Sequence, residues 1–287
     1  MALKKQDSVL YQSPIDIYNS FYMSDSLHHF YREEERGGPF HKVVPLHESR
    51  EWSWEAISHE APLLPRGWYE LSRLTAEERL EFTRDYWLSK LGNNHSEAED
   101  QLETFFSSLE EVGIFVTQST PTKAYEAHMV YIPKNEESFF HGSPPATKEA
   151  IANLSKQFSH FELPSDYLAF LEIHDGFCKY TDTGMIKTKE MARVYQRFQQ
   201  LRGRDILIGP DGEQVDPLHL IPFYESSHLH CYQCFYADWT PLGEMGTVFY
   251  ADEDELMNFL DERYLESSRA FPTFFHFLFS YLEDLYG

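Results

Sequence analysis

The stretch Phe161-Glu-Leu-Pro-Ser-Asp-Tyr-Leu-Ala-Phe-Leu-Glu-Ile-His-Asp-Gly176 decides how the second half of the chain folds. Pro164 suits the first position of a helix, where the N–H that proline lacks would have no partner anyway. Tyr167 and Phe170 recur at helical spacing and give the helix an apolar face. Gly176 follows as a turn residue. The stretch therefore predicts a short helix that packs into a core, with a tight turn soon after it.

Two further helices flank this one. Residues 148–161 carry apolar side chains on one helical face, namely Ile151, Leu154, Phe158 and Phe161. Residues 187–201 predict a helix whose Lys189, Arg193 and Arg197 stack at i, i+4 and i+8 on one basic face. Strand-like runs then follow, separated by Gly and Pro turn signals, at residues 205–208, 220–224, 230–237 and 247–250. Helices at residues 252–260 and from about residue 271 close the chain. Helices around short strands without βαβ alternation indicate an α+β fold.

The first half of the chain has weaker patterns. Residues 1–60 show little periodicity and are predicted to be irregular. Thr75 and Glu78 form a capping box, so a helix is expected at about residues 75–91, with a buried stripe of Leu80, Trp87, Leu88 and Leu91. A second helix is expected at about residues 97–112, and strands at 114–117 and 127–132. The sequence thus predicts a mainly helical N-terminal region with a few strands.

A boundary between two halves is expected near residue 145. Residues 135–146 combine charged side chains with Gly142 and the pair Pro144-Pro145. Such segments connect domains more often than they lie inside them. We therefore predict an N-terminal region at 1–144 and a separate domain at 145–287.

The composition excludes several classes of protein. The 287 residues include 42% hydrophobic side chains and carry a net charge of −23, which makes nucleic acid and anionic membranes poor partners. Three cysteines do not make an even disulfide framework, and no signal peptide or membrane-spanning run is recognised. These features favour a cytoplasmic protein. They do not predict its oligomeric state.

The charge is unevenly distributed along the chain. Residues 178–204 hold seven Lys or Arg against two acids, whereas residues 205–287 hold two Arg against sixteen acids. The two segments either neutralise each other in the fold, or the acidic one faces a basic partner.

No pattern of residues establishes a metal site, a cofactor or a reaction centre. The run His228-Leu-His230-Cys231-Tyr-Gln-Cys234 places two histidines beside a C-x-x-C. Cys231 and Cys234 lack a second pair of ligands, and on a strand they would point to opposite faces, so no metal is expected there. The sequence contains neither G-x-S-x-G nor a phosphate-binding glycine loop, and no cofactor is expected. Cys178, His174 and Asp175 are close in sequence, but a nucleophile and its base must be close in space.

The stretch from Phe161 to Gly176 resembles the start of SUKH domains, where a helix leads into L-P-x-x-Y-x-x-F-L and an Asn/Asp-Gly turn. The residues that fill this pattern are Leu163, Pro164, Tyr167, Phe170, Leu171, Asp175 and Gly176. Residues 236–239, 246–250 (which begin with Gly246) and 252–260 are similar to the later hairpin and closing helix of that family. The resemblance implies a curved mixed or antiparallel sheet flanked by helices, with a cleft that binds proteins, as in toxin-immunity proteins and fungal cell-wall regulators. It implies mainly structural roles for the signature residues.

These observations favour a non-enzymatic protein-binding module, with an immunity-type inhibitor of a basic toxin as the specific hypothesis. One alternative is a regulatory scaffold in which residues 1–144 and the C-terminal half hold different partners. Another is an undetected enzyme, such as a hydrolase that uses carboxylates or Cys178. We predict the partner-binding surface at Asp238, Trp239 and Glu244, in the turn between two strands. Trp239 is then either a lid on the core or an exposed anchor of the interface.

Overall fold

The computed structural model describes residues 30–31, 40–92, 95, 97–134, 138–201, 212, 214–226, 231–251 and 270–283. The described helices are α1 (Trp54–Glu60), α2 (Arg66–Leu71), α3 (Ala76–Leu91), α4 (Ala98–Ser107), α5 (Lys148–Gln157), α6 (Ser165–Leu171), α7 (Thr188–Leu201) and α8 (Phe274–Glu283). The strands are β1 (Lys42–Pro45), β2 (Leu109–Gln118), β3 (Glu126–Pro133), β4 (Phe140–Gly142), β5 (Phe177–Lys179), β6 (Gly184–Met185), β7 (Leu220–Ser226), β8 (Cys231–Tyr236) and β9 (Thr247–Ala251). The fold is α+β, as predicted.

All nine strands form one open antiparallel sheet in chain order, from β1 at one edge to β9 at the other. β4 is the link between the two halves of the chain. It pairs with β3 through Val130 and His141, and with β5 through His141 and Cys178. The sheet therefore runs without interruption across residue 145. The division into 1–144 and 145–287 remains a prediction about which segments fold independently.

The sheet has two unequal faces because side chains alternate along each strand. On β3, Met129 and Tyr131 join the large core that the helices cover. Val130 and Ile132 join a smaller cluster on the opposite face, together with Tyr31 and the partly buried Phe30. The large core includes buried side chains from both halves of the chain, so the helices of each half pack against a common sheet.

Two of the predicted helices differ from the structure in detail. The capping box at Thr75 and Glu78 is confirmed, and Trp87 and Leu91 of α3 are buried as expected. Leu80 and Leu88 are only partly buried, whereas Arg79 and Thr83 are buried. The second helix was expected to continue to residue 112 and was wrong there, because α4 ends at Ser107 and Leu109 begins β2. Leu109 is buried, but as part of the sheet.

The N-terminal segment is more regular than predicted, since β1 and α1 lie within residues 40–60. The expected strand at 205–208, the expected helix at 252–260, His228, His230 and most of residues 1–39 lie outside the described residues. None of the helices that are described has the length and apolar character needed to cross a membrane.

Candidate partner-binding site

The predicted surface lies in the connection between β8 and β9. The turn is closed by two backbone hydrogen bonds, from the Trp239 N–H to the Tyr236 carbonyl and from the Gly246 N–H to the Trp239 carbonyl at 2.9 Å. Gly243 has φ +88°, a left-handed conformation that favours glycine. The three predicted residues therefore share one ordered turn, but their environments differ.

Trp239 is half-buried and packs against the main core. Its ring lies directly over Gly246, where an added Cβ would come within 2.3 Å of two ring carbons. Gly246 is therefore required for the ring to pack this closely on the hairpin. This contact is consistent with a role for Trp239 in closing the core, and the remaining exposed part of the ring leaves its contribution to binding as a prediction.

Asp238 is exposed, and its carboxylate lies 2.6 Å from His219 Nδ1. The His219 ring in turn meets the Phe161 ring edge-on at 5.7 Å between centroids. Asp238 is thus connected through His219 to the start of the segment that decides the fold. This link is not predictable from local sequence patterns, because His219 and Phe161 are 58 positions apart along the chain.

Glu244 connects the turn to the same segment directly. Its Oε2 accepts a hydrogen bond from the Ser165 N–H at 3.0 Å. Ser165 is the first residue of α6, whose N-terminal N–H groups have no partner within the helix. One oxygen of Glu244 therefore satisfies a helix end, while its other oxygen has no hydrogen-bond donor among the described residues.

Two adjoining cavities, of about 640 and 300 Å³, lie between this turn and the chain just before α6. They share five lining residues, namely His160, Phe161, Glu162, Leu163 and Glu244. We call them together the acidic groove. Neither cavity has a Lys or Arg among the described residues that line it. Leu242, in the same turn, is 64% exposed.

The acidic groove carries two carboxylates, those of Glu162 and Glu244, with no Lys or Arg among its described lining residues. Glu162 is exposed and makes no ion pair with any residue in the described part of the chain. Glu244 bonds only to a backbone N–H. Sequence reasoning identified Glu244 but missed Glu162 and Phe161, because they lie in the family-like segment whose side chains were assigned structural roles.

The predicted signature residues are buried or hold a turn or a helix start in place. Leu163, Pro164, Tyr167, Phe170 and Leu171 are buried. The Asp175 carboxylate accepts hydrogen bonds from the Thr188 N–H at 2.6 Å and the Thr188 hydroxyl at 2.9 Å, and so holds the start of α7. Gly176 has φ +99°, and the Lys187 side chain lies against it.

The residues considered for catalysis are not brought together as a triad. His174 bonds to Tyr131 and Ser143, and Asp175 bonds to Thr188. The Sγ of Cys178 instead lies 3.1 Å from Nε2 of His141, which sequence reasoning missed. Burial raises the pKa of Cys178 to about 12 and lowers the pKa of His141 to about 4, so both groups are neutral near pH 7.

Cys231 and Cys234 are both buried in β8 and are not joined by a disulfide. Burial raises the pKa of the Cys234 thiol well above its usual range, which opposes the thiolate form that binds metals. Within the described ranges, no group of three His, Cys, Asp or Glu side chains is arranged to hold a metal ion.

The fold and this groove define an α+β protein with an open antiparallel sheet and a surface site at one hairpin. Residues 145–279 match the family model described as SMI1 / KNR4 family (SUKH-1). These residues therefore form a SUKH domain, as the motifs predicted. The match spans slightly less than half of the chain and supports, at a general level, a protein-interaction or immunity-like module. No curated protein and no solved structure matches the chain significantly.

Proposed function

We propose that this chain is a non-enzymatic protein-binding module whose acidic groove receives a basic segment of a partner protein. The observation that carries the proposal is the lining of the groove, which presents Glu162 and Glu244 and contains no described Lys or Arg. An arginine or lysine of a partner would supply the counter-charge that this surface lacks. Charge-assisted hydrogen bonds of this kind are among the stronger polar contacts at interfaces.

Apolar contacts next to the carboxylates complete the proposed surface. Leu242 is exposed in the turn, and Phe161 lines both cavities. An aliphatic or aromatic side chain beside the partner's basic residue would cover these groups and exclude water from the ion pair. Such a combination of a buried anchor and complementary charge is typical of tight protein interfaces.

We further propose that the partner is a basic toxin, which the module inhibits by occupying its surface. Two observations support this more specific role, namely the SUKH domain at residues 145–279 and the net charge of −23. An acidic inhibitor associates quickly with a basic target because their fields steer the encounter. A neighbouring gene for a basic toxin, or its co-purification with this chain in the cytoplasm, would support the assignment.

The absence of catalysis is part of the proposal, and it is supported by the state of Cys178. A nucleophilic cysteine needs a depressed pKa and a base that can take its proton. Here burial raises the pKa of the thiol and lowers the pKa of the neighbouring His141. Replacing Cys178 with Ser should therefore leave the inhibition or binding of the partner unchanged.

The test compares two matched double variants of the full chain in affinity capture from the native cell. Glu162→Gln/Glu244→Gln removes two charges from the groove. Glu81→Gln/Glu110→Gln removes two charges from exposed positions on α3 and β2, away from the groove. We expect the groove variant to lose the captured basic partner and the control to retain it. Equal capture by both variants, or capture only of acidic proteins, would overturn the proposal.

A further inference from the structure

A second cleft, of about 410 Å³, lies on the sheet beside α7 and is separate from the acidic groove. Its floor is formed by side chains of successive strands, including His128 of β3, His141 of β4, Cys178 of β5 and Met185 of β6. Its wall is formed by Lys187 and by the side of α7 that carries Arg193 and Val194. The volume falls in the range of small-molecule sites.

Ion pairing within this cleft leaves one cation unmatched. Arg193 donates to Glu190 at 2.8 Å, and Arg197 donates to Glu225, so these two pairs are neutralised internally. Among the described residues, the Lys187 ammonium has no carboxylate within ion-pair distance and no hydrogen-bond acceptor. The remaining acid of the lining, Glu126, is an exposed side chain at the start of β3.

The Lys187 side chain is held over the cleft floor. Its methylene stem packs on the backbone of Gly176, where an added Cβ would lie 2.7 Å from Lys187 Cγ. After burial, the charge of Lys187 is one of the causes that lower the pKa of His141 to about 4 and the pKa of His128 well below its usual range. Near pH 7 the Lys187 cation therefore faces two uncharged imidazoles, those of His141 and His128.

Apolar groups complete the lining next to this cation. Met185 is 3% exposed and Val194 is 4% exposed, and the buried Phe177 also borders the cleft. A site that combines an apolar surface with one unpaired cation suits a ligand with an apolar body and one anionic group. A purely inorganic anion would satisfy Lys187 but leave the apolar lining uncovered.

We propose that the cleft beside α7 binds a small organic anion, a carboxylate or a phosphate monoester with an aromatic or aliphatic body, through an ion pair with Lys187. The anionic group bonds to the Lys187 ammonium. The apolar body lies against Met185 and Val194. This site is independent of the acidic groove, because the two share no lining residue.

The test uses the full-length chain labelled with ¹³C at its methionine methyl groups. Met185 provides a signal in the cleft, assigned with Met185→Leu, and Met245 provides an internal reference in the core near the acidic groove. Benzoate, phenyl phosphate and benzylamine are the probes, since they share an aromatic body and differ in charge. We expect benzoate and phenyl phosphate to shift the Met185 signal saturably and benzylamine to leave it unchanged.

Two variants assign the recognition to Lys187. Lys187→Gln should weaken binding of benzoate roughly tenfold or more, because a hydrogen bond to a charged group is lost. Lys189→Gln, an exposed neighbour on α7 that does not line the cleft, should change it less than about twofold. Unchanged affinity in Lys187→Gln would overturn the proposal. If that variant does not fold, an equal Met185 shift with benzylamine in the wild type, or no saturable shift with either anion, would overturn it.

Discussion

At the scale of single residues, a buried polar chain joins the two halves of the protein. The Trp87 indole N–H lies 2.9 Å from the Tyr131 hydroxyl, which lies 2.7 Å from His174 Nε2. His174 Nδ1 lies 2.9 Å from the Ser143 carbonyl. Because a carbonyl only accepts, Nδ1 carries the proton, Nε2 accepts from Tyr131, and Tyr131 accepts from Trp87. The side-chain polar atoms of Trp87, Tyr131 and His174 therefore all have a hydrogen-bond partner in this network.

Gly142 makes room for this network. A Cβ at Gly142 would lie 2.2 Å from His174 Nδ1, so Gly142→Ala must displace the imidazole or the strand. We expect the free energy of unfolding in urea to fall by about 1–3 kcal/mol. Gly67→Ala is the control, since a Cβ at Gly67, in α2, meets nothing within 4 Å. A loss in Gly142→Ala no larger than in the control would contradict the predicted clash.

Buried histidines predict how stability depends on pH. Burial lowers the pKa of both His141 and His174 to about 4, below the ordinary value of 6.5. As the pH falls from 6.5 to 4, the unfolded chain takes up protons that the folded chain does not, so the free energy of unfolding decreases with acidity in this window. The expected loss is roughly 3 kcal/mol for each histidine.

The contribution of His141 to this pH dependence can be measured by comparing the wild type with a variant that lacks the histidine. Between pH 6.5 and 4, urea unfolding of His141→Gln should show a shallower dependence on pH than the wild type. His59→Gln, at a side chain that is 88% exposed, should keep the slope of the wild type. If His141→Gln also retains the wild-type slope, His141 is not held neutral by the fold.

At the scale of elements, the first N–H groups of two helices are satisfied by carboxylates that lie far away in the sequence. Ser165 begins α6, and its N–H is satisfied by Glu244, 79 positions later in the chain. The start of α8 is held in the same way, because the buried Asp166 accepts a hydrogen bond from the Phe275 N–H at 2.9 Å. The family-like segment therefore docks to both the hairpin and the aromatic helix through single carboxylates.

Glu244 should accordingly affect both stability and binding, whereas Glu162 should affect binding alone. Glu244→Ala removes the cap of α6 and should lower the free energy of unfolding by about 1 kcal/mol. Glu244→Gln keeps an acceptor for the Ser165 N–H and should stay near wild-type stability. Glu162→Ala should leave thermal and urea unfolding unchanged. A destabilised Glu162→Ala, or a Glu244→Ala as stable as the wild type, would contradict these separate roles.

Elements were predictable from the sequence where their signals are local. The capping box at Thr75 and Glu78 fixed the start of α3 because both hydrogen bonds lie within one turn. The end of α4 was not predictable, since Leu109 keeps the helical spacing although its backbone pairs with Pro133. Strand pairing is decided by residues far away in the chain, which local periodicity does not contain.

At the scale of the whole molecule, the two halves share one sheet. β4 pairs with β3 on one side and with β5 on the other. The aromatic helix α8 also reaches β4, where the Tyr281 and Phe140 rings meet at 5.3 Å. Residues of both halves therefore contribute to one core, although the family match begins at residue 145.

Shortening the chain tests whether the second half folds independently. A fragment that begins at Ser143 contains β5 to β9 but lacks β4. It also lacks Tyr131, which bonds to His174, and Trp87, which bonds to Tyr131. We expect it to unfold at lower urea concentration than the full chain. Equal stability would support independent folding of residues 145–287. If the fragment still folds and retains all binding, the hypothesis of a two-part scaffold fails.

The candidate site was predictable only in part. The acidic turn with Asp238, Trp239 and Glu244 was recognised from its charge and its position between strands. The opposite wall, with Phe161 and Glu162, was not, because the contact of Glu244 with Ser165 closes the groove across a long sequence separation. For the cleft beside α7, the sequence predicted only the basic face of that helix. The floor of the cleft was not predictable, because it depends on pairing among β3, β4 and β5.

Hydrogen–deuterium exchange of the full chain, with and without the captured partner, tests whether the acidic groove receives the partner. Binding in the groove should slow exchange in peptides that cover residues 158–165 and 237–246 and leave the exchange of α3 unchanged. Protection confined to α3 or to β1 and β2, with both groove segments unaffected, would contradict it.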